Sequence, residues 1–181
     1  MHESSNNYFK KAKVIPSDYQ IHYFTASTDK LILLSLCSFG TYAWYWFYKN
    51  WQAIKEANIN CSPFWRALLS PFFAFSLFRY IRDDSLKNNI DDPFPITFLA
   101  FIYFFLVVAS NLPAPFFLIS YLSIAPLVIA NRIAIKVNQT QLSNFVSNKE
   151  YSIWNLLTII FGGLLTVVCI IFAFIPSSLL Q

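Results

Sequence analysis

Five apolar stretches, 31–48, 63–81, 96–110, 116–135 and 154–175, alternate with short polar joints along this chain of 181 residues. The last contains no Asp, Glu, Lys or Arg over 22 residues. At about 1.5 Å per helical residue it covers the roughly 30 Å hydrocarbon core of a bilayer. The pattern predicts an all-α, polytopic helical membrane protein. A polar, basic N-terminal arm (1–29) precedes a helical membrane domain (30–181).

The segment boundaries have local causes. Segment one follows Ser27-Thr28-Asp29, whose oxygens accept from free helical amides and whose carboxylate complements the helix dipole. Gly40 separates its aliphatic half from the aromatic TYAWYWFY and predicts a bend there. Beyond it NWQAIKEAN is amphipathic, as in a helix leaving along the membrane surface. Segment two opens with Ser62-Pro63, a capping hydroxyl before a proline that needs no amide partner. Arg66, Pro71 and Arg79 make it either a kinked span or a re-entrant pair. Segments three and four flank the uncharged joint Asn111-Leu112-Pro113-Ala114-Pro115, which predicts a helical hairpin; a kink is expected at Pro126. Segment five is expected to begin at a Ser152 cap.

Basic residues set the orientation, because Lys and Arg are retained on the cytoplasmic side. With five crossings, Lys10, Lys11, Lys13, Lys30, Arg79, Arg82, Lys87, Arg132, Lys136 and Lys149 share one side, against Lys49, Lys55 and Arg66 on the other. Ten against three puts the N terminus inside and the C terminus outside, and five crossings are the preferred reading. The alternative makes segments one and two shallow or re-entrant, so that only three, four and five cross. All 13 basic residues then lie on one side.

Composition agrees with lipid as the solvent: 56% of residues are hydrophobic, 19% aromatic and only 12% charged, outside the range of ordinary soluble domains. The net charge of +4 follows from positive-inside bias. Lys10, Lys11 and Lys13 are too few to make a nucleic-acid face. The three cysteines, an odd number with two in apolar segments, imply no disulfide framework.

Reactive constellations are scarce. His2 and His22 are the only histidines and neither has a second ligand at metal-binding spacing, so no metal or cofactor is expected. No nucleophile elbow or phosphate loop occurs, and no enzyme activity is expected. Asp83-Asp84 and Asp91-Asp92 read as a solvated loop bridged by Arg79, Arg82 and Lys87, without the spacing of a calcium loop. Arg66 is costly at membrane depth, roughly 2.5–3.5 kcal/mol, unless it snorkels to headgroups or finds a partner. Thr158, Gly162 and Thr166 recur at intervals of four and form a small-residue face for helix packing.

YWFYKNW (45–51), Lys55 and SPFWRALLSPFFAFSLF (62–78) carry a resemblance to a group of uncharacterised bacterial multi-pass membrane proteins of the domain-of-unknown-function type. The likeness runs from about residue 23 to 78, with a weaker echo in YSIWNLLTIIFGGLL (151–165). It implies a bacterial inner-membrane location and no activity, and it directs attention to Arg66, Trp65, Asn50 and Trp51 as lipid or partner contacts. The expected function is a structural or interaction component that contacts the lipid bilayer or partner helices, with no nucleic acid. A small transporter or channel subunit is the alternative, distinguished by a polar cavity or broken helices at mid-depth.

Overall fold

A computed structural model describes residues 20–57, 59–90 and 95–175. His2, the lysines at 10, 11 and 13, and Asp91-Asp92 lie outside the described residues. The described chain is helical apart from its connections and one isolated parallel bridge, Ala26 to Asn148.

A non-helical segment, 20–27, leads into α1 (Thr28–Cys37). Phe39 and Gly40 then both take left-handed backbone conformations, φ 51° and 81°. Nothing crowds a Cβ at Gly40, so glycine is favoured there by its backbone freedom alone. The chain doubles back into α2 (Thr41–Glu56), which places Trp46 and Asn50 beside residues 24–26, ahead of the start of α1. Segment one is therefore two antiparallel helices, and the expected bend at Gly40 is a reversal.

Segment two is also divided. α3 (Pro63–Leu68) starts where the Ser62-Pro63 pair predicts, though Ser62 makes no side-chain cap bond. A break at Leu69 precedes α4 (Ser70–Lys87). Pro71 is its cause: it has no N–H for the Ala67 carbonyl, and its ring clashes with that carbonyl. Phe64, Ala67 and Leu68 share a groove with Tyr48, Tyr45 and Trp44, so α3 runs antiparallel to α2. Asp83 and Asp84, expected in a loop, are in the last turns of α4 because the helix continues to Lys87.

α5 (Ile96–Val108) returns along α4, with Phe72 stacked edge-on against Phe104 and Phe75 against Phe101 at 5.4 and 5.7 Å. A 3-10 turn extends it to Asn111, and the proline-rich joint completes the expected hairpin. The next helix begins as 3-10 from Phe116 to Ser123 and becomes α6 (Ile124–Gln141). The change of pitch, two residues before Pro126, stands where a kink is expected. α6 also extends past the predicted end at 135.

The last helix comprises α7 (Ile153–Leu157), a π-turn (Thr158–Gly162) and α8 (Gly163–Ala173). Ser152 caps it as expected, its hydroxyl accepting from the Asn155 amide at 3.4 Å. Ser27, by contrast, makes no side-chain cap bond to α1. By length and composition Phe116–Gln141 and Ile153–Ala173 are long and apolar enough to cross a membrane; Ile96–Asn111 is apolar but shorter. Five crossings are not confirmed.

The core lies between α2, α4, α5 and α6. Phe47 packs against Trp46, Tyr103 and Phe78, with ring centres 5.4, 5.4 and 6.2 Å away. Such pairs add about 0.5–1.5 kcal/mol each beyond the area they bury. The final helix docks separately against α1. A Cβ on Gly162 would lie 1.9 Å from the Cys37 carbonyl oxygen, whereas one on Gly163 would meet only the Cys37 sulfur at 3.4 Å. Thr166 donates to the Gly162 and Leu36 carbonyls at 2.8 and 3.3 Å, while Thr158 bonds back to Trp154 in its own helix.

Gly162→Ala is therefore expected to lower stability by about 1–3 kcal/mol through overpacking of two backbones, and Gly163→Ala to have little effect. Thermal unfolding of the detergent-solubilised protein checks this; equal midpoints for the two variants would exclude the close α1–α8 contact.

Candidate functional site

The buried side chains include an unusual number of amides and charges. Asn131 and Asn138 face the segment 20–27 from α6, and each behaves as a spare peptide group. Asn138 accepts from the Tyr23 amide at 3.0 Å and donates to the Tyr23 carbonyl at 2.7 Å. Asn131 accepts from the Ala26 amide at 3.2 Å and donates to the Ala26 carbonyl at 2.7 Å. The spacing explains the match. Seven helical residues advance about 10.5 Å, and three residues of extended chain cover roughly 10 Å. Two amides two turns apart thus meet two peptide units three residues apart.

Neighbouring side chains join the same segment. The Trp46 indole donates to the Asn131 oxygen at 2.9 Å, and Asn50 donates to the Phe24 and Trp46 carbonyls at 3.1 and 2.9 Å. The Tyr23 hydroxyl donates to Asp84 at 2.7 Å, and Lys87 pairs with the other oxygen of that carboxylate at 3.1 Å. Asp83 takes Arg82 at 2.9 Å. The acidic pair expected to be solvated is split: Asp84 is buried, and Asp83 is half-exposed.

Lys30 closes the ring on the other side. It is buried and donates to the Asn148 side chain at 2.9 Å and the Glu150 carbonyl at 2.5 Å. Burial pushes its pKa down, and the Glu150 carboxylate acts against that shift. A cavity of about 570 Å³ opens above it, walled by Tyr42, Tyr45, Tyr151 and Trp154. A second, of about 310 Å³, adjoins the Gly40 turn and is lined by the hydroxyls of Thr41, Ser110, Ser120, Tyr121 and Ser123.

The residues singled out in the sequence divide into two places. Trp51 and Arg66 come together where α2 meets α3, while the Asn50 side chain serves the Phe24 and Trp46 carbonyls. The Arg66 guanidinium lies 4.5 Å from the Trp51 ring centre and 5.4 Å from that of Phe73. Trp51 is fully buried, and Arg66 is half-buried with no ion pair or hydrogen-bond acceptor among the described residues. The Trp51 indole N–H and the Asn50 side-chain oxygen lack partners as well. Trp65, next to Arg66 in the chain, is 60% exposed and edge-on to Phe64. Gly162 and Thr166 form the contact with α1 described above, whereas the Thr158 hydroxyl serves its own helix. Asn131, Asn138 and Lys30 were not singled out, and Asp84 was expected in a solvated loop. The signal for the two asparagines was present: two amides seven apart, which places them on one face of α6.

No family model, curated protein or solved structure matches the chain. Its site is therefore read from its own geometry.

Asn131→Ala would strand the Ala26 amide and carbonyl and the Trp46 indole. At about 1–3 kcal/mol for each buried unsatisfied group it is expected to cost at least about 3 kcal/mol. Asn138→Ala, which strands two groups, should cost less. Thermal or denaturant unfolding of the solubilised variants gives the ranking, and a mild effect of Asn131→Ala would remove the clamp from this account.

Proposed function

We propose that this protein is a multi-pass component of a bacterial inner membrane that contacts lipid and partner helices, and that it belongs with the group its aromatic motifs resemble. One observation carries the reading: the distribution of polarity is inverted. The amides Asn50, Asn131 and Asn138 are buried, while Phe72, Phe105, Trp154, Phe161 and Leu164 are each at least 66% exposed. Only 6% of the most apolar part of Ile153–Ala173 is buried. In water so large an apolar surface would demand a partner; in lipid it is the ordinary outer face of a helix.

The proposed topology has three crossings, by 96–111, 116–141 and 153–173, with α1 and α2 re-entrant from the cytoplasmic side. The reversal at Gly40 supports it, and so does charge: all 13 basic residues then fall on one side. The N terminus is inside and the C terminus outside. A small transporter or channel subunit is a second reading, for which the cavity beside the Gly40 turn, lined by five hydroxyl-bearing residues among Phe39, Trp44, Phe117 and Ile124, is the supporting feature.

Single cysteines at Ala57, Asn89, Ala114 and Gln181, on a background lacking Cys37, Cys61 and Cys169, test the topology with an impermeant thiol reagent on intact cells. Ala114 and Gln181 are expected to label, and Ala57 and Asn89 to be protected. Labelling at Ala57 would replace three crossings by five.

A further inference from the structure

We propose that the α2–α3 corner binds the phosphate of an anionic phospholipid, with Arg66 as the residue that holds it. The inference rests on the membrane reading above and names a partner for that surface. Two aromatic rings, Trp51 and Phe73, flank the guanidinium and restrict its movement. The two rings stand nearly perpendicular, at 87°, so they hold the guanidinium without both covering its faces, and its planar fork of N–H donors is the group that grips a phosphate through two parallel bonds. None of these donors meets an acceptor among the described residues, and the buried Trp51 indole N–H is unmet too. The corner offers donors held in place and lacks a carboxylate to take them.

A second cation lies close by. Cys61, buried at the start of α3, is pushed up by burial, while Arg66 and Lys55 both act to lower its pKa. Both cations are thus within electrostatic range of Cys61. Lys55 also borders a groove with Glu56, but Arg66 does not line that groove. The lipid source follows from what adjoins the cation. Phe64, Trp65 and Phe72 are 59%, 60% and 67% exposed, and Leu68 and Leu69 are also exposed. These side chains give acyl chains a surface next to the headgroup, which a free anion would not use.

Thermal unfolding of the full-length protein in a neutral detergent tests this, with titration by dioleoyl-phosphatidylglycerol, dioleoyl-phosphatidylcholine or sodium phosphate. Phosphatidylglycerol is expected to raise the midpoint by several degrees and the other two to have little effect. Arg66→Gln should raise the half-saturating concentration about tenfold, whereas Arg132→Gln, at an exposed cation on α6, should leave it unchanged. Arg66→Lys keeps the charge without the planar fork and covers the case in which Arg66→Gln does not fold; it too should lose most of the response. An undiminished response in the Arg66 variants, or an equal response to phosphatidylcholine, would overturn the site. An equal response to sodium phosphate would overturn the lipid as its occupant. Release of the protein from membranes by alkaline carbonate would overturn the membrane reading itself, whereas retention without a phosphatidylglycerol response would overturn this proposal alone.

Discussion

A stretch of backbone that is not helical cannot lie among apolar helices unless its N–H and C=O groups are met, because an unmet group costs more there than in water. Residues 20–27 are in that position. Asn131 and Asn138 resolve it by presenting amides at the spacing of the peptide units they serve. The cost is that two amides must be carried on the buried face of α6, among Leu127, Ile133 and Val137, where each is tolerable only while its partner segment is in place.

Much of the architecture is tied to that clamp. Trp46 shares the Asn131 oxygen and Asn50 holds the Phe24 carbonyl, so α2 is drawn back beside the start of α1. Asp84 ties α4 to the same segment through the Tyr23 hydroxyl. Ser27 and Lys30 connect it to Asn148 and Glu150, just ahead of the last helix. In lipid the hydrophobic effect does little to drive one helix onto another. Directed polar contacts of this kind, with the close α1–α8 approach at Gly162, supply order that apolar packing alone would leave loose.

Outside this polar interior α5 and the last helix turn apolar and aromatic side chains outward, and Arg66 differs from the cations of α4. Aromatic rings restrain it and no protein carboxylate neutralises it, whereas Arg79, Arg82 and Lys87 all face carboxylates on α4. That contrast separates a charge serving the fold from one turned toward its surroundings.

Local information carried far in this chain. Pro63, the proline-rich joint at 111–115 and Ser152 mark helix limits because capping and the missing proline amide act within a turn or two of sequence. Apolar runs of sufficient length made the class legible, and Gly40 marked the place where segment one gives way. The reversal at Gly40, the burial of Asp84 and the use of Asn131 were not legible. Each depends on a partner far along the chain, 61 residues away for Asp84 and 105 for Asn131. Length and hydropathy state that a segment can reside in lipid; they do not state whether it crosses or returns. By itself the sequence determined helices, those ends that a proline or a cap marks, and an apolar exterior, since these follow from short-range sterics and solvation. Only the tertiary structure decided which amides face which backbone, because that requires two distant stretches to come into register at the same spacing.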